Sequence, residues 1–225
     1  MRQAAILFDC DGVLVDSERI YLSVEREMLA DIGLVYDLHD YQSRFMGLRS
    51  ADYLAALAAD YRTLRARPFP EQFAGELERT CRERLMRELE SVEGVDDFLD
   101  LHDGPRAVAS SSALDLLHAK LRRTDLHRRF DPHIYSGDQV ARGKPAPDLF
   151  LHAARQLGAA PESCLVIEDS ANGVRAGLAA GMRVWGFAGA GHADEHLPRR
   201  LKEAGAEAVF LSFKDMGVML NGAVG

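Results

Sequence analysis

Residues 4–17 read Ala4-Ala5-Ile6-Leu7-Phe8-Asp9-Cys10-Asp11-Gly12-Val13-Leu14-Val15-Asp16-Ser17, an apolar run that stops abruptly on acid. Ala4–Phe8 has the short, unbroken apolar character of a strand covered on both faces, as in a parallel sheet. Asp9 and Asp11 then fall at its C-terminal end, where an open α/β sheet gathers ligand-binding groups. Further apolar runs lie downstream at Arg106–Ala109, His133–Tyr135, Cys164–Ile167, Arg183–Phe187 and Ala208–Leu211. Between them stand amphipathic helical patterns over Ala113–Arg123, Asp148–Gly158 and Gly173–Gly181. The last two close on glycine, and Pro147 suits a helix start. The alternation predicts an α/β fold built on a parallel sheet.

One stretch interrupts it. From about Ser17 to Glu90 no strand pattern appears, and the apolar residues recur at helical spacing: Leu22, Val24, Met28 and Leu29; Tyr53, Leu54 and Leu57; Phe73, Leu77, Cys81, Leu85 and Leu89. The expected organisation is a core of residues 1–16 and 91–225 with an all-helical domain, residues 17–90, inserted after the first strand.

Composition narrows the function. Of 225 residues, 47% are hydrophobic and 28% charged, an ordinary globular balance. The net charge of −8 argues against a general affinity for nucleic acid or an anionic membrane. No apolar run approaches the roughly 20 residues that span a bilayer. The apolar stretch at the start is too short for a signal peptide, so a cytoplasmic protein is expected, with a monomer as the default. Cys10, Cys81 and Cys164 form no CxxC pair and are odd in number, which suggests neither a zinc site nor a disulfide framework.

Four features carry chemistry: Asp9 and Asp11 after the first strand, Ser110-Ser111-Ser112 after the second, Lys144 in Gly143-Lys144-Pro145 before a helix, and Glu168-Asp169-Ser170 after Cys164–Ile167. Singly, each has an ordinary explanation: a turn, a helix cap, a solvated loop lysine. Together they fall on one edge of one predicted sheet. Asp9, Asp11, Glu168 and Asp169 would bring four carboxylates into one place, which like-charge repulsion forbids without compensation. A divalent cation and the Lys144 ammonium supply three positive charges, and a proton on Asp11 balances the rest. Oxygen-only ligands favour Mg²⁺.

Roles follow from that set. Asp9 is the expected nucleophile, forming an aspartyl phosphate. Asp11 is placed to protonate the leaving oxygen and later to take a proton from water. Ser110, with backbone N–H groups at a helix start, would hold phosphoryl oxygens, with Gly12 and Ser111 beside it. Lys144 would stabilise charge on nucleophile and phosphate. The expected metal ligands are Asp9, Asp11, Glu168 and Asp169, with Glu168 acting directly or through water.

These motifs, in this order, resemble the haloacid dehalogenase superfamily, and the resemblance covers nearly the whole chain. It extends to Asp16-Ser17-Glu18 at the insert and to Gly177–Gly181. It implies a Rossmann-like core, a Mg²⁺ cofactor and a helical cap at residues 17–90. Dehalogenases proper lack the second aspartate, so Asp11 points to phosphoryl transfer. The subgroup most similar contains sugar-phosphate phosphatases and β-phosphoglucomutase. Its mutases carry a histidine where an ungapped reading gives Tyr21, and Lys-Asn where this chain has Ala113-Leu114. A phosphatase acting on a small phosphorylated metabolite is the leading expectation, and a phosphosugar mutase the alternative. A signalling receiver fits less well, because receivers lack a helical insert and split their acidic residues between strands. A binding protein with a decayed site is a further alternative, although every motif residue is present. By the same resemblance, Gly47 and Arg49 in Phe45-Met46-Gly47-Leu48-Arg49-Ser50 would help select the substrate.

Overall fold

Ala5–Phe8 (β1) is wholly buried and is paired on both sides in the computed structural model, which describes residues 5–45, 50–191 and 193–222. Gly47 and Arg49 lie outside these residues. β1 is followed by Arg106–Ser110 (β2), Ile134–Ser136 (β3), Cys164–Glu168 (β4), Arg183–Phe187 (β5) and Ala208–Phe210 (β6). All pairs are parallel, in the order β3-β2-β1-β4-β5-β6. This is the Rossmann-like α/β arrangement. The chain divides into two compact units: Met1–Glu18 with Leu89–Gly225, which holds the sheet, and Arg19–Glu88.

Helices cover the sheet on both faces, which explains why its strands read as unbroken apolar runs. In chain order the helices are Ser17–Asp31 (α1), Leu38–Phe45 (α2), Ser50–Arg65 (α3), Phe73–Glu88 (α4), Val95–Asp100 (α5), Leu114–Arg123 (α6), His127–Phe130 (α7), Asp148–Gln156 (α8), Ala171–Ala179 (α9), Leu197–Glu203 (α10) and Phe213–Gly222 (α11). Leu7 of β1 packs in a cluster with Leu149 and Phe150 of α8 and Val174 of α9. Its neighbour Phe8 turns to the other face and meets Phe98 of α5 and Phe130 of α7 edge-on. That alternation is the two-residue period of a strand.

Two strand ends differ from the sequence reading. Ser110 and Glu168 are the last paired residues of β2 and β4, opposite Ser136 and Gly186, and do not lie beyond them. Backbone pairing is indifferent to a polar side chain, so the ladder outlasts the apolar run.

The regular elements among the described residues of the unit Arg19–Glu88 are all helices, joined by loops at about 32–37 and 66–72. Its core gathers Leu29, Leu34, Tyr41, Phe45, Leu57, Tyr61 and Phe73. α2 buries Tyr41 and Phe45, one turn apart, and Leu38 lies in phase with them although it is exposed. No helix among the described residues is long and apolar enough to cross a membrane.

Candidate active site

The strand order reverses between β1 and β4, and open α/β sheets bind ligands at the carboxyl ends of such strands. Asp9 leaves the end of β1 with its N–H still bonded to the Ile167 carbonyl at 2.9 Å. The chain then wraps tightly around the Cys10 carbonyl, which accepts the N–H groups of Leu14 at 2.9 Å and Val15 at 3.1 Å. Gly12, with φ of 71°, supplies the left-handed backbone this turn needs. The wrap fixes Asp9 and Asp11 on a rigid loop.

Lys144 reaches Asp9 from the loop before α8. Its Nζ lies 2.5 Å from Asp9 Oδ1 and 2.7 Å from Glu168 Oε1, and all three side chains are nearly or fully buried. The ammonium also sits 4.8 Å from the centre of the Phe150 ring. Burial pulls the Lys144 ammonium down, but Asp9 and Glu168 outweigh it and hold the group above the usual lysine range. The other oxygen of Glu168 accepts from the Ser170 N–H at 2.8 Å and the Ser170 hydroxyl at 2.9 Å. Ser170 in turn caps α9 by accepting the Gly173 N–H at 3.0 Å.

Glu168 has room only because residue 173 has no side chain: a Cβ there would stand 1.7 Å from Glu168 Oε1. Gly173→Ala should therefore displace the carboxylate from Lys144. We expect a loss of about 1–3 kcal/mol from overpacking, read as a lower thermal midpoint, together with reduced turnover.

Asp11 belongs to a second cluster. Its Oδ1 accepts from the Ser17 hydroxyl and from Lys120 Nζ, both at 2.5 Å, and its Oδ2 accepts from the Ser112 hydroxyl at 2.7 Å. Lys120 comes from α6 and is only 1% exposed. Burial alone would raise Asp11, but the charge and hydrogen bond of Lys120, with the bonds from Ser17 and Ser112, bring it below the usual carboxylate range. Sequence reasoning missed Lys120. The available signal was a lysine in line with Leu117 and Leu121 on the buried face of an amphipathic helix, since a fully buried lysine needs a partner.

Ser110 is buried at the end of β2, and its hydroxyl accepts the Ser112 N–H at 3.1 Å. Ser111 is exposed, and it is Ser112 that touches Asp11. β3 braces the same corner, because the Ser136 hydroxyl donates to the Ser112 carbonyl at 2.7 Å.

The charge balance differs from the sequence expectation in one respect. A proton on Asp11 is not required, because Lys120 supplies the missing positive charge. Both Asp11 oxygens already accept hydrogen bonds, from Ser17 and Lys120 on one and from Ser112 on the other. Among the described residues no three Asp, Glu, His or Cys side chains form a ready-made metal cage, since Lys144 bridges Asp9 and Glu168. The remaining donors nonetheless suit a hard cation. Burial pushes Asp9 well above the carboxylate range despite Lys144, with Glu168, Asp169 and Asp11 adding to the push. Asp169 is raised in the same direction by burial and then by Glu168, Glu18 and Asp11. Crowded, buried carboxyl oxygens of this kind are what a divalent cation compensates.

A parallel sheet with buried carboxylates and a lysine at its switch point defines the class as an α/β enzyme with an acidic site. The model of haloacid dehalogenase-like hydrolases matches residues 3–181, and this chain belongs to that family. It is 29% identical over 199 residues to the 6-phosphogluconate phosphatase of Escherichia coli K12, covering 87% of this chain and 85% of that protein. It is 32% identical over 186 residues to a phosphorylated carbohydrates phosphatase of Thermotoga maritima, covering 81% and 84%. Among solved structures, a family hydrolase from Deinococcus radiodurans R1 with bound phosphate and sodium superposes with a TM-score of 0.85 at 37% identity, covering 99% of this chain and 96% of that one.

Proposed function

We propose that this phosphoric monoester hydrolase works with Mg²⁺, through an aspartyl phosphate on Asp9, on small phosphorylated metabolites of the sugar-phosphate class. The observation that carries the reading is the buried Asp9 carboxylate, paired with Lys144 and crowded by Glu168 and Asp169 at the sheet's switch point. The substrate class rests on the relatives, which are named for 6-phosphogluconate and phosphorylated carbohydrates. Every residue assigned to the chemistry lies in the unit that holds the sheet. Substrate selection is assigned to the helical unit, as its cap.

In the first half-reaction an Asp9 oxygen attacks phosphorus. The new O–P bond forms as the P–O bond to the leaving group breaks, and Asp11, which must first take up a proton in the substrate complex, gives that proton to the leaving oxygen. In the second half, water attacks the phosphorus of the aspartyl phosphate and Asp11 takes a proton from it. Inorganic phosphate departs and the Asp9 carboxylate is restored. Lys144 holds Asp9 in place and offsets charge as the phosphoryl group arrives. Ser110, Ser111, Gly12 and backbone N–H groups ahead of α6 hold phosphoryl oxygens. Asp9 and Asp169 would hold Mg²⁺, with Glu168 reached directly or through water, and the cation would supply Lewis-acid stabilisation of phosphoryl charge.

The test is phosphate release from a panel of sugar phosphates, polyol phosphates and phosphoglycolate. Release should occur with Mg²⁺, fall to background with chelator and return when Mg²⁺ is restored. No release from any member overturns the reading. Interconversion of hexose phosphates in the presence of a sugar bisphosphate, without net release, replaces it with a mutase.

A further inference from the structure

We infer that Ser136 and Asp138, on the turn that leaves β3, are positioning residues for the loop Ser110–Ala113 and so set the affinity of the site for phosphoryl oxygens. The inference rests on the reading above, in which that loop holds the phosphoryl group. Three hydrogen bonds in series join the two segments. The Leu114 N–H donates to Asp138 Oδ2 at 3.2 Å, the Asp138 N–H donates to the Ser136 hydroxyl at 3.1 Å, and that hydroxyl donates to the Ser112 carbonyl at 2.7 Å. A serine hydroxyl has one proton, and here it goes to Ser112 while a lone pair receives the Asp138 N–H. Ser136 is fully buried, and its own N–H is held by the Gln139 side chain at 2.8 Å, so the turn is locked from within. Its backbone lies against the loop: a Cβ on Gly137 would stand 3.7 Å from Ser111 Cα.

The turn reaches the donors of the loop through the planar peptide. The Ser112 carbonyl and the Ala113 N–H belong to one trans unit and point opposite ways. Fixing the carbonyl on Ser136 therefore fixes the direction of the Ala113 N–H, away from the Ser136 hydroxyl. Ser112 spends its own N–H on Ser110, and Leu114 spends its N–H on Asp138. Among the described residues, the N–H groups of Ser111 and Ala113 have no protein acceptor, and these are the ones left for phosphoryl oxygens. α6 has no side-chain cap of its own, because Ala113 occupies the N-cap position and a methyl group accepts nothing. Asp138 supplies the missing acceptor from 24 positions along the chain. Its charge opposes phosphate at the loop it caps, so cap and charge act on affinity with opposite signs.

The test measures KM for a sugar phosphate drawn from the panel and Ki for inorganic phosphate as a competing product. Ser136→Ala leaves the Ser112 carbonyl and the Asp138 N–H without their partner. Both constants should rise by about tenfold while kcat stays within about threefold. Asp138→Ala should raise both by about fivefold, the scale of a lost helix cap. Asp138→Asn keeps an acceptor for the Leu114 N–H and should return both constants to within about twofold of the wild type. Asp138 is exposed, so this pair serves should the buried Ser136 variant fail to fold. If these contacts served packing alone, the variants would lose active fraction and kcat would fall with KM and Ki unmoved; that result overturns the inference. If Asp138 acted by charge alone, the Ala and Asn variants would both lower Ki, which also overturns it. A wild-type enzyme that releases phosphate from no substrate overturns the phosphatase reading and this inference with it. An active wild type beside variants with unmoved constants overturns this inference alone.

Discussion

Asp9→Asn is expected to abolish phosphate release, by about 10⁴-fold or more, while leaving the protein folded. An amide has nearly the shape of the carboxylate but cannot form the acyl phosphate, and removal of a covalent nucleophile acts on this scale. The melting temperature separates loss of chemistry from loss of structure. Asp9 lies above its usual range because burial and three neighbouring carboxylates oppose its ionisation. A carboxyl raised on folding contributes stability while it is protonated, and that contribution is lost as pH rises through the folded value. The variant should stay folded because the amide nearly matches the carboxylate in shape and Lys144 keeps Glu168 as its partner. Retained turnover would end the assignment of Asp9 as nucleophile.

Lys144→Met should lose both activity and stability. It withdraws the ammonium that lies 2.5 Å from Asp9 and 2.7 Å from Glu168, leaving two buried carboxylates facing one another. Breaking one side of a buried ion cluster costs about 3–5 kcal/mol, because the partners left behind cannot regain water. Turnover should fall by about 10²–10³-fold, the scale for removing a charge-stabilising donor from an active site. Mg²⁺ should raise the melting temperature of the variant by more than that of the wild type, since a cation that binds the folded state stabilises it and here meets uncompensated carboxylates. An unchanged melting temperature would mean that Lys144 is not the charge that holds the acidic cluster together.

The parts of this site that were legible in the sequence share a cause. Asp9, Ser110 and Glu168 stand where apolar runs end, and a buried parallel strand announces both its course and its carboxyl end. Lys144 is marked by its glycine–lysine–proline loop. The parts that were not legible depend on partners far away in the chain. Lys120 meets Asp11 across 109 positions, and nothing local distinguishes it from a surface lysine except its phase on a helix. Gly173 is needed because of the Glu168 carboxylate that fills the space its side chain would occupy, not because of its own backbone. α2 spans only about two turns, and its in-phase apolar residues, Leu38, Tyr41 and Phe45, are too few to stand out from the surrounding chain.

The central place of β1 bears on how the molecule is made. Ile6 pairs with Arg106 on one side and with Leu165 on the other. A growing polypeptide must therefore carry its first strand unpaired until those partners are synthesised. The helical unit inserted after β1 lengthens the first of these closures from an ordinary crossover of about fifteen residues to about a hundred, which costs only about 2 kcal/mol in loop entropy. The penalty falls on timing instead. A parallel sheet with such distant pairings assembles slowly, and its most apolar strand stays available to wrong partners in the interval. Nascent chains stalled before residue 164 lack the whole of β4. They should be captured by chaperones or aggregate, whereas chains released after residue 168 can close the sheet around Asp9.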